Sequence, residues 1–272
     1  MLDSLSLRGA IIALLIVFSQ LGCTPASEPN TVPVNVPIEL TYAGSALGCP
    51  AIFEHNQQRW QIDRFALFVA DVAVKGAESE QWTGVALIAN DWQTEEVALL
   101  WFATDCVANG ATPVANNRLS FATSQAALNS ATALKLTLAV PFALNHGNPL
   151  LQPQPLNIPE MFWSWRMGYK FMRMDLRSAQ ADANAPWSFH LGSVGCVSEA
   201  VVRPPQEACA QPNRFTVEIE LTQPLSELKF DLAALLHSVK PERLGHCMLQ
   251  PEMQKGCEQL LANLQQEQLI RQ

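Results

Sequence analysis

The chain has few basic residues. Seventeen lysines and arginines stand against 25 aspartates and glutamates, for a net charge of −8, and no positive cluster occurs anywhere. Nucleic acids select basic surfaces, so a nucleic-acid partner is excluded. No Cys-x-x-Cys pair is present, which removes zinc ribbons and thioredoxin-like redox motifs. Gly-x-Ser-x-Gly, His-Glu-x-x-His and the phosphate-loop motif are missing too. A binding protein is therefore expected rather than an enzyme. Beyond residue 23 no apolar run is long enough to span a bilayer as a helix. The β–α alternation of a Rossmann-like chain is absent as well.

What is present begins with a targeting segment over residues 1–23. Arg8 precedes the apolar run Ala10–Phe18, and Leu21-Gly22-Cys23 follows. That tripeptide resembles the lipobox of bacterial lipoproteins, although Gln20 stands where leucine is usual. Cys23 is thus the lipidation candidate, with plain signal cleavage and an uncleaved anchor as alternatives. The expected location is the periplasm or the outer membrane, held there by a lipid anchor. Thr24–Pro37, rich in Pro, Ser, Thr and Asn, reads as a flexible tether, leaving 38–272 as a single domain. Its six cysteines are an even set in an exported chain, which favours disulfides. Short spacing suggests Cys196–Cys209 and Cys247–Cys257, leaving Cys49 with Cys106.

The body reads as an antiparallel β-sandwich with long loops and a short helix or two. Asn35–Thr41 alternates apolar and polar residues, whereas Arg64–Val74 is apolar on both faces. Ala98–Phe102, Ala133–Val140, Lys170–Leu176, Trp187–Leu191 and Phe215–Leu221 continue the series, with Gly, Pro and Asn between them. Thr123–Ala133 and Pro251–Gln268 are the candidate helices.

Chemistry concentrates in Met161–Cys196. Trp163 and Trp165 lie two apart, so a strand there would put both rings on one face. Met161, Met167, Met172 and Met174 carry thioethers suited to Cu(I), but methionine more often fills core gaps. Of only five histidines, His146 heads a proline-rich loop and His190 ends a strand. The pair could converge on one metal ion, or each could be a hydrogen-bonded loop histidine. Asp71, Asp105 and Asp175 are candidates to orient an imidazole, or equally strand-end caps.

In order along the chain stand Asn145-His146, Pro155-Leu156-Asn157, Met161-Phe162-Trp163-Ser164-Trp165 and Gly168-Tyr169-Lys170-Phe171. Asp175, His190-Leu191-Gly192-Ser193, Gly195-Cys196, Cys209 with Pro212-Asn213-Arg214, and Cys247/Cys257 follow. These motifs resemble the MbnP-like family, a four-cysteine member of a "metallo-mystery pair", over roughly Pro37–Leu264. The family's Gly-Ser-Thr-Gly-Cys reads Gly192-Ser193-Val194-Gly195-Cys196 here. The resemblance implies an exported β-sandwich that binds copper as Cu(I). It also implies a partner, an MbnH-like dihaem peroxidase relative, that oxidises one tryptophan to kynurenine. Carried onto this chain, His146 and His190 are the imidazole ligands. Trp163 or Trp165 is the oxidised residue, with Trp187 a third candidate. The competing expectation is a metal-free structural or small-ligand-binding lipoprotein whose aromatic cluster is core.

Overall fold

The computed structural model describes residues 33–77, 79, 81–104, 114–180, 186–248 and 255–272. Cys23 with the leader, Asp105 and Cys106 lie outside them. The first strands are β1 (Val34–Tyr42), β2 (Ser45–Ala46), β3 (Ile52–His55), β4 (Gln58–Gly76), β5 (Thr83–Gly84), β6 (Val97–Trp101) and β7 (Arg118–Phe121). Helix α1 (Gln125–Asn129), β8 (Ala131–Leu138) and α2 (Phe142–Asn145) lead to the hairpin of β9 (Phe162–Ser164) and β10 (Gly168–Tyr169). Then come β11 (Met172–Ser178), β12 (Pro186–Leu191), β13 (Phe215–Glu220), β14 (Leu228–Asp231) and α3 (Leu232–Leu235). The chain closes with β15 (Cys247–Met248), α4 (Lys255–Asn263) and β16 (Ile270–Arg271).

The apolar run expected around Arg64–Val74 explains the main sheet. It is the centre of β4, a strand of 19 residues in which Phe65–Ala70 are fully buried. A strand apolar on both sides must be covered on both faces and flanked on both edges. One edge of β4 takes β3, β6 and β5 in turn; the other takes β11 and then β8. The changeover falls between Leu67 and Val69, and the β8 ladder then shifts register between Ala70 and Ala73, where Asp71 has a φ of +49°. The resulting nine-stranded sheet runs β13-β8-β4-β11-β12-β15, with β3, β5 and β6 on the second edge of β4. A five-stranded sheet, β16-β14-β1-β2 with β7 beside β1, forms the other layer. Phe65 on β4 meets Phe230 on β14, ring centroids 5.1 Å apart, joining the two sheets through the core.

The all-β sandwich with disulfides holds, with local corrections. Two pairings are parallel, β1 with β14 and β12 with β15, because their partners come from distant segments that no hairpin links. The tether expected to reach Pro37 gives way to β1 at Val34, since Val34 and Val36 point into the core while the backbone pairs with β7. The helix expected over Thr123–Ala133 spans only Gln125–Asn129; Ser124 caps its start, and β8 claims Ala131 onwards. The helix expected over Pro251–Gln268 stops at Asn263, whose side chain donates to the carbonyls of Leu235 and His237. Cys196–Cys209 and Cys247–Cys257 are bonded as their spacing suggested, and Cys49 is disulfide-bonded too. Among the described residues no helix is long and apolar enough to cross a membrane.

Candidate metal centre

Strands β11 and β12 have two faces of opposite chemistry, and period-two alternation separates them. On one face Met172, Met174 and Leu176 pair with Leu191, Phe189 and Trp187, all in the core. The other face carries Arg173 opposite His190 and Asp175 opposite Ser188. This second face holds the site. Trp187, an odd number of residues from His190, points away from it, and its indole N–H donates to Gly245 O. Met161, Met172 and Met174 are fully buried core.

His190 is 7% exposed. Its Nε2 lies 2.8 Å from Asp175 Oδ1, and Arg173 Nε donates to the other carboxylate oxygen at 2.7 Å. Burial alone would push the Asp175 carboxyl up. Hydrogen bonds from His190 and Ser188 outweigh it, together with neighbouring positive charge, and hold the carboxyl well below the usual carboxylate range. Asp175 is therefore ionised and only accepts, so Nε2 of His190 carries the hydrogen. Nδ1 is buried and has no hydrogen-bond partner. In the neutral ring it is a lone pair, and a buried acceptor without a donor is costly. A carboxylate on one imidazole nitrogen with the other nitrogen free is the arrangement that orients a metal-binding histidine.

His146 ends α2 and is also buried. Its Nδ1 is 3.0 Å from the carbonyl of Trp165, which can only accept, so Nδ1 carries the hydrogen. Asn145 confirms the tautomer: its Oδ1 accepts from Tyr169 N at 2.7 Å, which turns Nδ2 towards His146 Nε2 at 3.1 Å. Burial lowers the His146 pKa, opposed by the bond to Trp165 O, so the ring stays neutral with Nε2 as its donor atom. Cys209 Sγ sits 3.6 Å from that nitrogen. His146 Nε2 and the sulfurs of Cys196 and Cys209 all lie within 4.8 Å of one another, but the sulfurs are joined to each other and carry no thiolate charge.

The β9–β10 hairpin touches both imidazoles. The Trp163 ring lies 6.4 Å from the His190 ring and under the Lys170 ammonium at 5.6 Å, while Trp165 offers His146 its backbone carbonyl. The strand that would have put both rings on one face ends at Ser164, and Trp165 falls in the turn. Among the described residues, Trp163 is the tryptophan whose indole lies beside a candidate ligand. Gly192 permits this, since a Cβ there would stand 2.4 Å from the Trp163 ring and 2.8 Å from Tyr169 O. Among the aspartates, Asp175 has the expected orienting role, and Asp71 instead pairs with Arg214 on the surface.

Sequence reasoning missed the polar brace that holds the loops together. Asn145 Nδ2 reaches Ser193 Oγ at 3.4 Å, Ser193 donates to Pro212 O, and Asn213 donates to Gly192 O. Asn145, Ser193 and Asn213 stand in the sequence motifs, but their mutual hydrogen bonds carry no spacing signal and only the fold reveals them.

Replacing Asp175 by asparagine should cost about 2 kcal/mol of stability at neutral pH. The folded pKa of Asp175 is depressed, so its contribution is complete above the unfolded value of about 3.9 and is lost as pH falls through the folded value. Urea unfolding across that range should show the two proteins converging in acid. A constant gap would mean that the carboxylate charge is not what matters.

The fold and these side chains define a class: a disulfide-stapled β-sandwich with two buried histidines gathered under one tryptophan-bearing hairpin. The family model named MbnP matches residues 31–249, and the chain belongs to that family. MbnP from Methylosinus trichosporium is similar in structure, with a TM-score of 0.65 at 25% identity, covering 79% of this chain and 83% of that one. Among curated proteins no significant match is found.

Proposed function

We propose that this is an exported copper-binding protein, not an enzyme, whose site uses His190 Nδ1, His146 Nε2 and the oxidised side chain of Trp163. The observation that carries the reading is the orphaned, buried Nδ1 of His190, held in place by Asp175. Two imidazoles, each with one nitrogen held by an oxygen partner, suit Cu(I), the ion replacing Asn145 Nδ2 at His146 Nε2. Indole is a hydrogen-bond donor only and offers a metal no lone pair. Cleaving its pyrrole C2–C3 bond inserts two oxygen atoms, and hydrolysis then removes the formyl carbon as formate. The kynurenine so formed carries an aryl amine and a ketone. A dihaem partner of the MbnH type, with peroxide as the electron acceptor, supplies the oxidation. Trp163 is favoured over Trp165 because its ring, not its backbone, faces the histidine. Export follows from the basic–apolar leader, with Cys23 as the lipid attachment point.

The test is anaerobic Cu(I) titration against a chromophoric chelator. Wild type should bind one ion, and His146→Ala and His190→Ala should each lose it. Unchanged binding in both variants would sink the ligand assignment.

A further inference from the structure

We propose a second, redox-gated metal site in which reduction of the Cys196–Cys209 disulfide creates a three-donor His146–Cys196–Cys209 centre for Cu(I). It uses neither His190 nor Trp163, but it shares His146 with the site proposed above, so the two take that nitrogen alternately. The three donor atoms are already within 4.8 Å of one another, with Nε2 of His146 3.6 Å from Cys209 Sγ. The nitrogen–sulfur spacing suits donors converging on one ion, because metal–sulfur and metal–nitrogen bonds of about 2.3 and 2.0 Å separate ligands by about 3.5–4 Å, and the bonded sulfurs part once the disulfide opens. The nitrogen is preset. The Trp165 carbonyl takes the Nδ1 hydrogen and leaves the lone pair on Nε2, where the ion would replace the hydrogen bond from Asn145 Nδ2. Two thiolates and one imidazole form a soft donor set that selects Cu(I).

The fold also shows where a reductant enters. Cys209 is buried, but Cys196 is partly exposed beside Val197, which is 83% exposed. Val197–Glu199, Arg203, Pro204 and Gln206–Ala208, in the loop that the disulfide closes, line an open groove of about 670 Å³ beside it. A dithiol reductant attacks the partly exposed Cys196 at its Sγ. A new bond forms to Cys196, the Cys196–Cys209 bond breaks, and the electron pair leaves on Cys209 beside His146. The second thiol of the reductant then attacks its own sulfur in the mixed disulfide, releasing Cys196 and leaving the reductant as a disulfide. Two electrons pass to the protein, and binding of the ion releases the remaining thiol protons to solvent. The thiol–disulfide state thereby decides which donors His146 works with.

The experiment compares the oxidised full-length protein with the same protein treated anaerobically with dithiothreitol and then freed of it. Circular dichroism checks the fold, and alkylation mass mapping checks which cysteines have opened. On adding Cu(I), the reduced protein should bind one equivalent with a near-ultraviolet thiolate-to-copper band that the oxidised protein lacks. A histidine-only site cannot produce that band. The Cys196→Ser/Cys209→Ser variant, treated in the same way, should lose the band. His146→Gln should weaken retention against a competing chelator by about tenfold or more, which keeps the test decisive should the double variant misfold. The proposal fails if no band appears, if His146→Gln leaves it unchanged, or if Cys196–Cys209 opens only when the protein unfolds.

Discussion

A Trp163→Phe variant co-expressed with the dihaem partner is expected to show no oxidised tryptophan and to lose most of its Cu(I) affinity. Trp165→Phe should keep both. The asymmetry follows from the hairpin. The Trp163 indole lies tilted beside the His190 ring and against Gly192, whereas Trp165 serves His146 through a main-chain carbonyl that phenylalanine retains. Peptide mass mapping of the 163–166 segment, with copper titration on the same samples, reads both effects. Oxidation that survives in Trp163→Phe would move the reactive ring to Trp165. Loss in both variants would show that the hairpin as a whole, rather than one indole, is recognised.

Gly168→Ala is expected to lower stability by about 2–4 kcal/mol and to weaken copper binding with it. Two costs add. Gly168 has a φ of +76°, a region that alanine enters only with strain, and a Cβ there would lie 2.3–2.5 Å from the Asn145 amide atoms. Asn145 cannot simply move aside, because it is buried and holds Tyr169 N, Ser193 and His146 at once. Gly168→Asn separates the two costs: asparagine tolerates the positive φ but still strikes Asn145, so little rescue is expected. Urea unfolding of the pair measures this, and a loss below about 0.5 kcal/mol in the alanine variant would show that the clamp carries no weight.

The sequence made the all-β class legible because β1, β8 and β13 alternate cleanly and β4 is unbroken apolar chain. Short spacing was enough for Cys196–Cys209 and Cys247–Cys257, where loop closure leaves few alternatives. His146 and His190 stood out through scarcity and motif. The geometry around them did not. Trp165 leaves the strand because Ser164 begins a turn, in which its Oγ accepts from Met167 N, and period-two reasoning does not see where a two-residue strand partner ends. The parallel partners β14 and β15 are four and two residues long and pair with chain far away in sequence, so no local pattern announces them. Which imidazole nitrogen is bare depends on Asp175 and the Trp165 carbonyl, and only tertiary structure brings them there.

The unbroken β4 strand has a consequence for how the chain reaches this fold. The first edge of β4 finds β3 and β6 nearby, yet on the other edge Leu67 finds its neighbour only when Met172 has been synthesised, and Val69 only with Leu138. Pairings of such long sequence separation nucleate slowly. During that interval a segment with both faces apolar and one edge open is an adhesive part of the nascent polypeptide. A holdase that shields residues 58–76 until β8 and β11 arrive should therefore raise the yield of soluble protein more than one that shields any other stretch. Truncations ending before residue 172 should aggregate, whatever becomes of the metal site.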